Sequence, residues 1–198
     1  MKNKKVVLAF SGGLDTSFCA IHLSKIQQLE VHAVFVNTCG FVTSELKDIE
    51  KHAYSLGVKT FKVVEQVKAY YDQVIKYLIY GNILKNNTYP LSVSAERISQ
   101  AEAVAKYAQL IGADFVAHGS TGAGNDQVRF DLALRALIPN CTIIAPIRDE
   151  NLTREDEIAM LKKNGHPIPP ASQYSMNIGL LGTTIGGGET KTTEKELP

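Results

Sequence analysis

The chain has 198 residues, 44% of them hydrophobic, which suits one domain, or one domain with part of a second, around a sizeable core. Lys and Arg total 21 against 20 for Asp and Glu, a net charge of +1, so the charge balance argues for neither nucleic acid nor an anionic membrane as partner. The three cysteines, Cys19, Cys39 and Cys141, form no Cys-x-x-Cys pair, and reduced thiols in a cytoplasmic protein are the simplest expectation.

Met1–Lys5 followed by Val6–Phe10 imitates the start of a signal peptide, but the apolar run is short and Asp15 soon follows. No stretch is long and apolar enough to span a bilayer. Val6–Phe10 is instead the first predicted strand, continuously apolar as a strand buried on both faces should be. A helix is predicted from Thr16 to about Gln27, a strand over Val31–Val36, a helix over Thr43–Leu56 stopped by Gly57, and a strand over Val58–Val64. Gln66–Tyr80 places Val67, Tyr70, Val74, Tyr77 and Leu78 on one helical face, and Gly81–Pro90 is polar and turn-rich.

A long helix is predicted from near Ser94 to Gly112, with Ile98, Ala101, Ala105 and Ala108 as its buried stripe. Asp114–His118 reads as a fourth strand, Asn125–Leu137 as a helix and Thr142–Ala145 as a fifth strand. Thr153-Arg154-Glu155-Asp156 resembles a capping box opening a helix to Lys163. His166-Pro167-Ile168-Pro169-Pro170 reads as a linker, and Ala171–Pro198 shows little apolar periodicity, with a polar, glycine-rich end.

Five strands alternating with helices predict an α/β fold: a five-stranded parallel sheet with helices on both faces and right-handed crossovers. Ligands of such sheets bind at the carboxyl ends of the strands, near the switch in strand order. That rule gathers Ser11–Asp15, Asn37–Phe41 and Gly119–Asn125 at one edge.

The first of these loops, Ser11-Gly12-Gly13-Leu14-Asp15-Thr16-Ser17, lacks the Gly-x4-Gly-Lys-[Ser/Thr] of a Walker A loop and the Gly-x-Gly-x-x-Gly of a dinucleotide fold. Its glycines let backbone approach a ligand, its amides and the following helix start form an anion site, and its hydroxyls add donors. Asp15 fits beside phosphates either as a cap for the helix or through a bridging Mg²⁺. A tight turn with a helix cap is the alternative. The second loop, His118–Phe130, puts Asn125 and Asp126 at a helix start and Arg129 in its first turn, where a cation opposes the macrodipole. Facing an anionic ligand explains that arginine; so does a solvated i,i+3 pair with Asp126.

Ser-Gly-Gly-Leu-Asp-Thr-Ser resembles the signature of the N-type ATP pyrophosphatases, in which ATP is cleaved between its α and β phosphates. The string Gly119 to Phe130 closely resembles argininosuccinate synthase, usually with lysine where Ala123 stands. The resemblance extends through the Tyr89 region, Ile143-Ile144-Ala145-Pro146 and His166–Pro170. It implies a Rossmann-like fold of the adenine nucleotide alpha hydrolase type, spanning residues 1–165. Residues 166–198 would then be a linker and the poorly ordered start of a synthetase domain.

Carried over, the family pattern assigns Ala9, Phe10, Ser11, Gly12, Gly13, Leu14, Asp15, Thr16, Ser17, Val36 and Gly119 to ATP, with Asp15 as Mg²⁺ ligand. Tyr89, Ser94, Asn125, Arg129, Ser175 and Thr184 would contact citrulline, and Thr121, Asn125 and Asp126 aspartate. The implied reaction is ATP-dependent ligation of citrulline and aspartate to argininosuccinate, releasing AMP and pyrophosphate, by a cytoplasmic enzyme of arginine biosynthesis that forms tetramers at full length. No side chain stands out as a nucleophile.

Ile98 stands where the family usually has proline, and Thr184 where it usually has serine. The family's chains continue well beyond residue 198, and a glutamate and a tyrosine of the citrulline pocket lie in that continuation. Weak ATP binding and little turnover are therefore expected of this chain alone. Two other readings remain: another pyrophosphatase-loop enzyme acting on tRNA or forming an amide, and a non-catalytic ATP-binding module. The scattered cysteines and balanced charge argue against the tRNA enzyme. Remaining residues have structural readings: Cys19 as core, Cys39 as a buried or spectator thiol, His22 and His52 as helix packing or surface groups, and His118 as either site lining or structure.

Overall fold

The computed structural model describes residues 4–122, 124–168 and 174–187. In chain order, β1 (Lys5–Ala9) leads to α1 (Leu14–Ile21), which continues as a π turn over His22–Ile26. β2 (Glu30–Asn37), α2 (Thr43–Ser55) and β3 (Thr60–Glu65) follow. A broken helix comes next: α3 (Val67–Tyr70), a π turn over Tyr71–Ile75, and α4 (Lys76–Tyr80). The short strands β4 (Leu84–Lys85) and β5 (Tyr89–Pro90) precede α5 (Ser92–Ile111), β6 (Phe115–Ala117), α6 (Asp126–Leu137) and β7 (Thr142–Ile144). α7 (Pro146–Asp149), α8 (Arg154–Lys163), β8 (Tyr174–Gly179) and β9 (Gly182–Gly187) complete the described chain.

Five strands form one sheet in the order β3-β2-β1-β6-β7, every pairing parallel. The predicted α/β class and five-stranded parallel sheet are therefore borne out. β1 is central, which explains its unbroken Val6-Val7-Leu8, all at 0% exposure. The pleat sends alternate residues to opposite faces. Val6, Leu8, Val31 and Ala33 pack with Leu14, Phe18, Ala53 and Leu161 from α1, α2 and α8. Val7, Val34 and Val116 pack with Ala101, Val104, Ala105, Ala108, Phe130 and Leu134 from α5 and α6. Fully burying a side chain such as Phe18 or Leu134 contributes about 1.5–3 kcal/mol each.

The helix ends follow local chemistry. Gly57 and Gly112 adopt φ of +92° and +61° at the ends of α2 and α5, as their sequence position predicts. Thr153 caps α8 reciprocally: its N–H donates to Asp156 Oδ2 at 2.9 Å, and Asp156 N–H returns to its Oγ1 at 3.3 Å.

Several expectations need correction. The first helix begins at Leu14, not Thr16, and Gly13 occupies its N-cap, so Asp15 lies inside the first turn and does not cap it. Tyr77 is 57% exposed, while Tyr70 and Ile75 are buried at 1% each. The π turn between them adds a residue to the period, so a stripe counted at 3.6 residues drifts off the core. Ile98 is 42% exposed; Val104 takes its place in the α5 stripe. Beyond Gly165, where no element was expected, β8 and β9 form an antiparallel ribbon turning at Leu180-Leu181. The linker prolines Pro169 and Pro170, and the polar end from Gly188, lie outside the described residues.

Candidate active site

The strand order reverses between β1 and β6: the chain builds β1, β2 and β3 outward on one side and returns to place β6 and β7 on the other. The carboxyl ends of these neighbouring parallel strands diverge into the two glycine loops singled out in the sequence. They touch. A Cβ on Gly119 would lie 3.2 Å from the Asp15 carbonyl carbon and 3.3 Å from Thr16 Cγ2, so only glycine lets the second loop rest against the first.

The first loop is stitched by its own hydroxyls. Ser11 N–H donates to Thr16 Oγ1 at 3.3 Å, Thr16 Oγ1 donates to the Gly13 carbonyl at 3.3 Å, and Gly13 N–H reaches Ser11 Oγ at 3.4 Å. Gly12 sits at φ +81°, where a side chain would also press within 3.3 Å of Ile49 Cγ2. Ser11 and Gly13 are exposed, Gly12, Asp15 and Thr16 half-buried, and Leu14 and Ser17 buried. The positive end of α1 therefore opens onto a solvent-facing turn rich in donors. Ala9 and Phe10 lie beneath it, with Phe10 N–H donating to the Val34 carbonyl at 2.9 Å.

Two side chains behind the loop were not singled out for it. Ser17 Oγ and His52 Nε2 of α2 lie 2.8 Å apart. Burial, and then the nearby His166, lower the His52 pKa below its ordinary value. Glu157 of α8 is 3% exposed and hydrogen-bonded to Asp15. Burial first, and then the Asp15 charge, push its carboxyl up to about 7. Sequence offered no signal for this pairing, because the two residues are distant in the chain.

Val36 lies near the carboxyl end of β2, half-buried and paired with Val64 of β3. Asn37 follows, its Nδ2 donating to Glu65 Oε2 at 2.9 Å. Beyond it, Thr38 is buried and bonds Glu96 of α5. Cys39 and Gly40 take φ of 150° and +91°, the sharp turn that leads out to α2.

The second loop hangs on His118, 2% exposed at the end of β6. Ser120 N–H donates to His118 Nδ1 at 3.3 Å, so Nε2 carries the proton and donates to Asp131 Oδ1 at 2.9 Å. Arg148 of α7 closes the chain on Asp131 Oδ2 at 3.0 Å. Burial lowers the His118 pKa, partly countered by Asp131. His118 is thus a neutral, fixed-tautomer support for the loop.

Thr121, Gly124 and Asn125 are exposed at the loop surface, and Asn125 is the N-cap residue of α6. Ala123 lies outside the described residues. Asp126 is held from both sides: Arg129 Nη1 donates to Oδ1 at 2.6 Å and Arg97 Nε to Oδ2 at 3.0 Å. Burial raises the Asp126 carboxyl, and the two guanidiniums more than reverse this, holding it below the usual carboxylate range. Arg129 thus makes the i,i+3 pair weighed from the sequence.

Ser94 is half-buried in the first turn of α5, and Tyr89 pairs with Lys85 in the β4–β5 bridge. Ser175 lies on β8 opposite Gly186, and exposed Thr184 on β9 opposite Asn177. The ribbon reaches the site through Asn177, whose Oδ1 accepts from Arg97 Nη2 at 2.6 Å. The structure thus brings the β1 loop against Gly119, and links Asp126 and Arg129 to the ribbon through Arg97. Arg97 is the residue the sequence reading missed. Its signal was available: Glu96, Arg97 and Gln100 are three polar residues clustered near the start of a helix with a buried alanine stripe.

A parallel sheet whose switch point carries a Ser-Gly-Gly loop braced by a second glycine loop defines a Rossmann-like domain of the HUP class. A family profile described as "Arginosuccinate synthase N-terminal HUP domain" matches residues 5–167, and the chain belongs to that family. The chain is 41% identical over 195 residues to argininosuccinate synthase of Sulfurisphaera tokodaii, covering 98% of this chain and 50% of the relative. It is 44% identical over 194 residues to the Xylella fastidiosa argininosuccinate synthase, covering 96% and 48% respectively. For the Dictyoglomus thermophilum argininosuccinate synthase the figures are 39% over 200 residues, 100% and 50%. The chain thus spans about half the length of the curated relatives it matches. Among the described residues, no helix is long and apolar enough to cross a membrane.

Proposed function

We propose that this chain is the nucleotide-binding portion of an argininosuccinate synthase, joining citrulline and aspartate at the expense of ATP. The observation that carries this is the contact of Gly119 with Asp15 and Thr16, which sets the phosphate-type loop beside the loop bearing Thr121, Asn125, Asp126 and Arg129. In this reading Ala9–Ser17, with Val36 and Gly119, hold ATP; Tyr89, Ser94, Asn125, Arg129, Ser175 and Thr184 hold citrulline; Thr121, Asn125 and Asp126 hold aspartate. Residues 1–165 form the ATP-binding domain, and 166–198 begin a further one.

The citrulline ureido oxygen attacks the α-phosphorus of ATP, the bond to the β-phosphate oxygen breaks, and pyrophosphate leaves toward the amides of Ser11–Asp15. The aspartate amine then attacks the ureido carbon, AMP departs with the oxygen, and the amine loses a proton. The protein's part is to position reactants and oppose charge. The α1 start and the loop amides favour the departing anion, while Arg129 suits a carboxylate through its planar fork. Asp126, ionised between two cations, offers an acceptor for a substrate ammonium. Mg²⁺ entering with ATP would be held by Asp15, a hard carboxylate in the first turn beside the loop amides, and would neutralise phosphate charge.

The test is pyrophosphate release from Mg-ATP with and without citrulline and aspartate. Release that requires citrulline supports the synthase. A second reading, nucleotide binding without turnover, predicts ATP binding with no release. Failure of ATP to raise the melting temperature overturns both. Asp126→Ala in a full-length protein should weaken the aspartate dependence and spare ATP binding.

A further inference from the structure

Three elements meet on one guanidinium. Arg97, its side chain 16% exposed, donates from Nε to Asp126 Oδ2 on α6 at 3.0 Å and from Nη1 to Gln100 Oε1 on α5 at 3.1 Å. Its Nη2 donates to Asn177 Oδ1 on β8 at 2.6 Å. Gln100 is itself anchored, its Nε2 donating to Thr38 Oγ1 and to Glu96 Oε1 at 3.3 Å each. The residue after Asn177 adds an apolar contact. A Cβ on Gly40 would lie 2.9 Å from Ile178 Cγ2, so the ribbon seats on the loop after β2 at a point where only glycine fits.

We propose that Arg97 is a positioning residue that latches the β8–β9 ribbon to Asp126, and so sets the ribbon's citrulline contacts in register with the aspartate loop. This rests on the functional reading above. Asn177 pairs with Thr184 across the ribbon and lies two residues from Ser175, so the latched rung is the one carrying a proposed citrulline contact. Arg129 already supplies Asp126 with one cation through its other oxygen, so charge alone does not call for Arg97. What Arg97 adds is direction. A planar fork presents donors in fixed directions to acceptors on three sides at once, whereas a lysine ammonium clusters its three donors on one nitrogen at the end of a flexible stem and cannot span the same acceptors. A ribbon of two strands is marginal by itself and needs such an attachment to keep one position.

The test uses the 198-residue chain and two measurements: amide hydrogen exchange over residues 174–187, and calorimetric binding of citrulline in the presence of Mg²⁺ and a non-hydrolysable ATP analogue. Arg97→Lys and Asn177→Ala should each speed ribbon exchange and weaken citrulline about tenfold, with affinity for the ATP analogue within about twofold of the parent. Asn177→Asp should restore both, because a carboxylate accepts from the same Nη2. A merely structural defect would lower nucleotide affinity alongside citrulline and would not be rescued. Ribbon amides unprotected in the parent, or unchanged in both Arg97→Lys and Asn177→Ala, overturn the latch. If the parent chain binds the ATP analogue but not citrulline, the 198 residues do not hold citrulline by themselves, and ribbon exchange alone decides the latch.

Discussion

Glutamine in place of Glu157 isolates the one carboxyl pair behind the phosphate-type loop. Glu157 is 3% exposed against Asp15, and its carboxyl rises from 4.5 to about 7. Below about pH 4.5 both the folded and unfolded chains carry the proton. Between 4.5 and 7 the folded chain keeps a proton that the unfolded chain releases, so stability falls as pH rises. Above about 7 the loss is complete. Such a rise corresponds to about 3 kcal/mol, which solvent screening on the loop side lowers to roughly 2 kcal/mol. Glutamine keeps the shape, donates to Asp15, and carries no charge to repel it. Glu157→Gln should therefore match the parent near pH 4.5 and exceed it by roughly 2 kcal/mol at pH 8.5, or about 4–8 °C in melting temperature for a chain of this size. Urea unfolding of both proteins across this range measures the difference. A gap that does not vary with pH, or a variant less stable than the parent at pH 8.5, refutes the reasoning.

Gly119→Ala should weaken ATP binding about tenfold, because its Cβ must push against backbone of the first loop at 3.2 Å; titration calorimetry that finds unchanged affinity rejects the contact as a constraint. Gly12→Ala combines φ of +81° with pressure on Ile49 and should cost about 1–2 kcal/mol of stability by denaturant unfolding. His118 should appear in nitrogen NMR as the neutral Nε2–H tautomer, titrating below 6.5, so that its share of stability is lost as pH falls beneath that value; a midpoint above 6.5 contradicts the assignment.

The sheet was legible because burial on both faces leaves an unambiguous mark: Val6-Val7-Leu8 can be little else than a central strand. The two loops were legible because glycines mark where backbone turns sharply or packs closely on another loop, as Gly12 and Gly119 do. What resisted reading was register. The π turn over Tyr71–Ile75 moved the buried face of its helix by one residue, and no composition rule marks such a turn. The ribbon from Tyr174 to Gly187 escaped for a related reason. Its sequence shows little apolar periodicity, and its attachment runs through Arg97 and Gly40, far away in sequence. Glu157 and His52 were hidden likewise, as polar residues on helices whose neighbours only the fold supplies.

These hidden residues share a logic that bears on how the site works. The loops present backbone, short hydroxyls and the half-buried Asp126, and the hydroxyl bonds within the first loop fix only part of this surface. Behind each stands a buried or half-buried polar side chain: His52 behind Ser17, Glu157 behind Asp15, His118 behind Ser120, Arg97 behind Asp126. The proposed reaction uses no protein nucleophile and so would depend on placement, and placement on loops is only as good as what supports them. Each support comes from α2, α5, α8 or the residue after β6, so the packing of the sheet and its helices is itself the source of the site's geometry. Substitutions behind the loops should therefore alter ligand affinity through side chains that need touch no ligand.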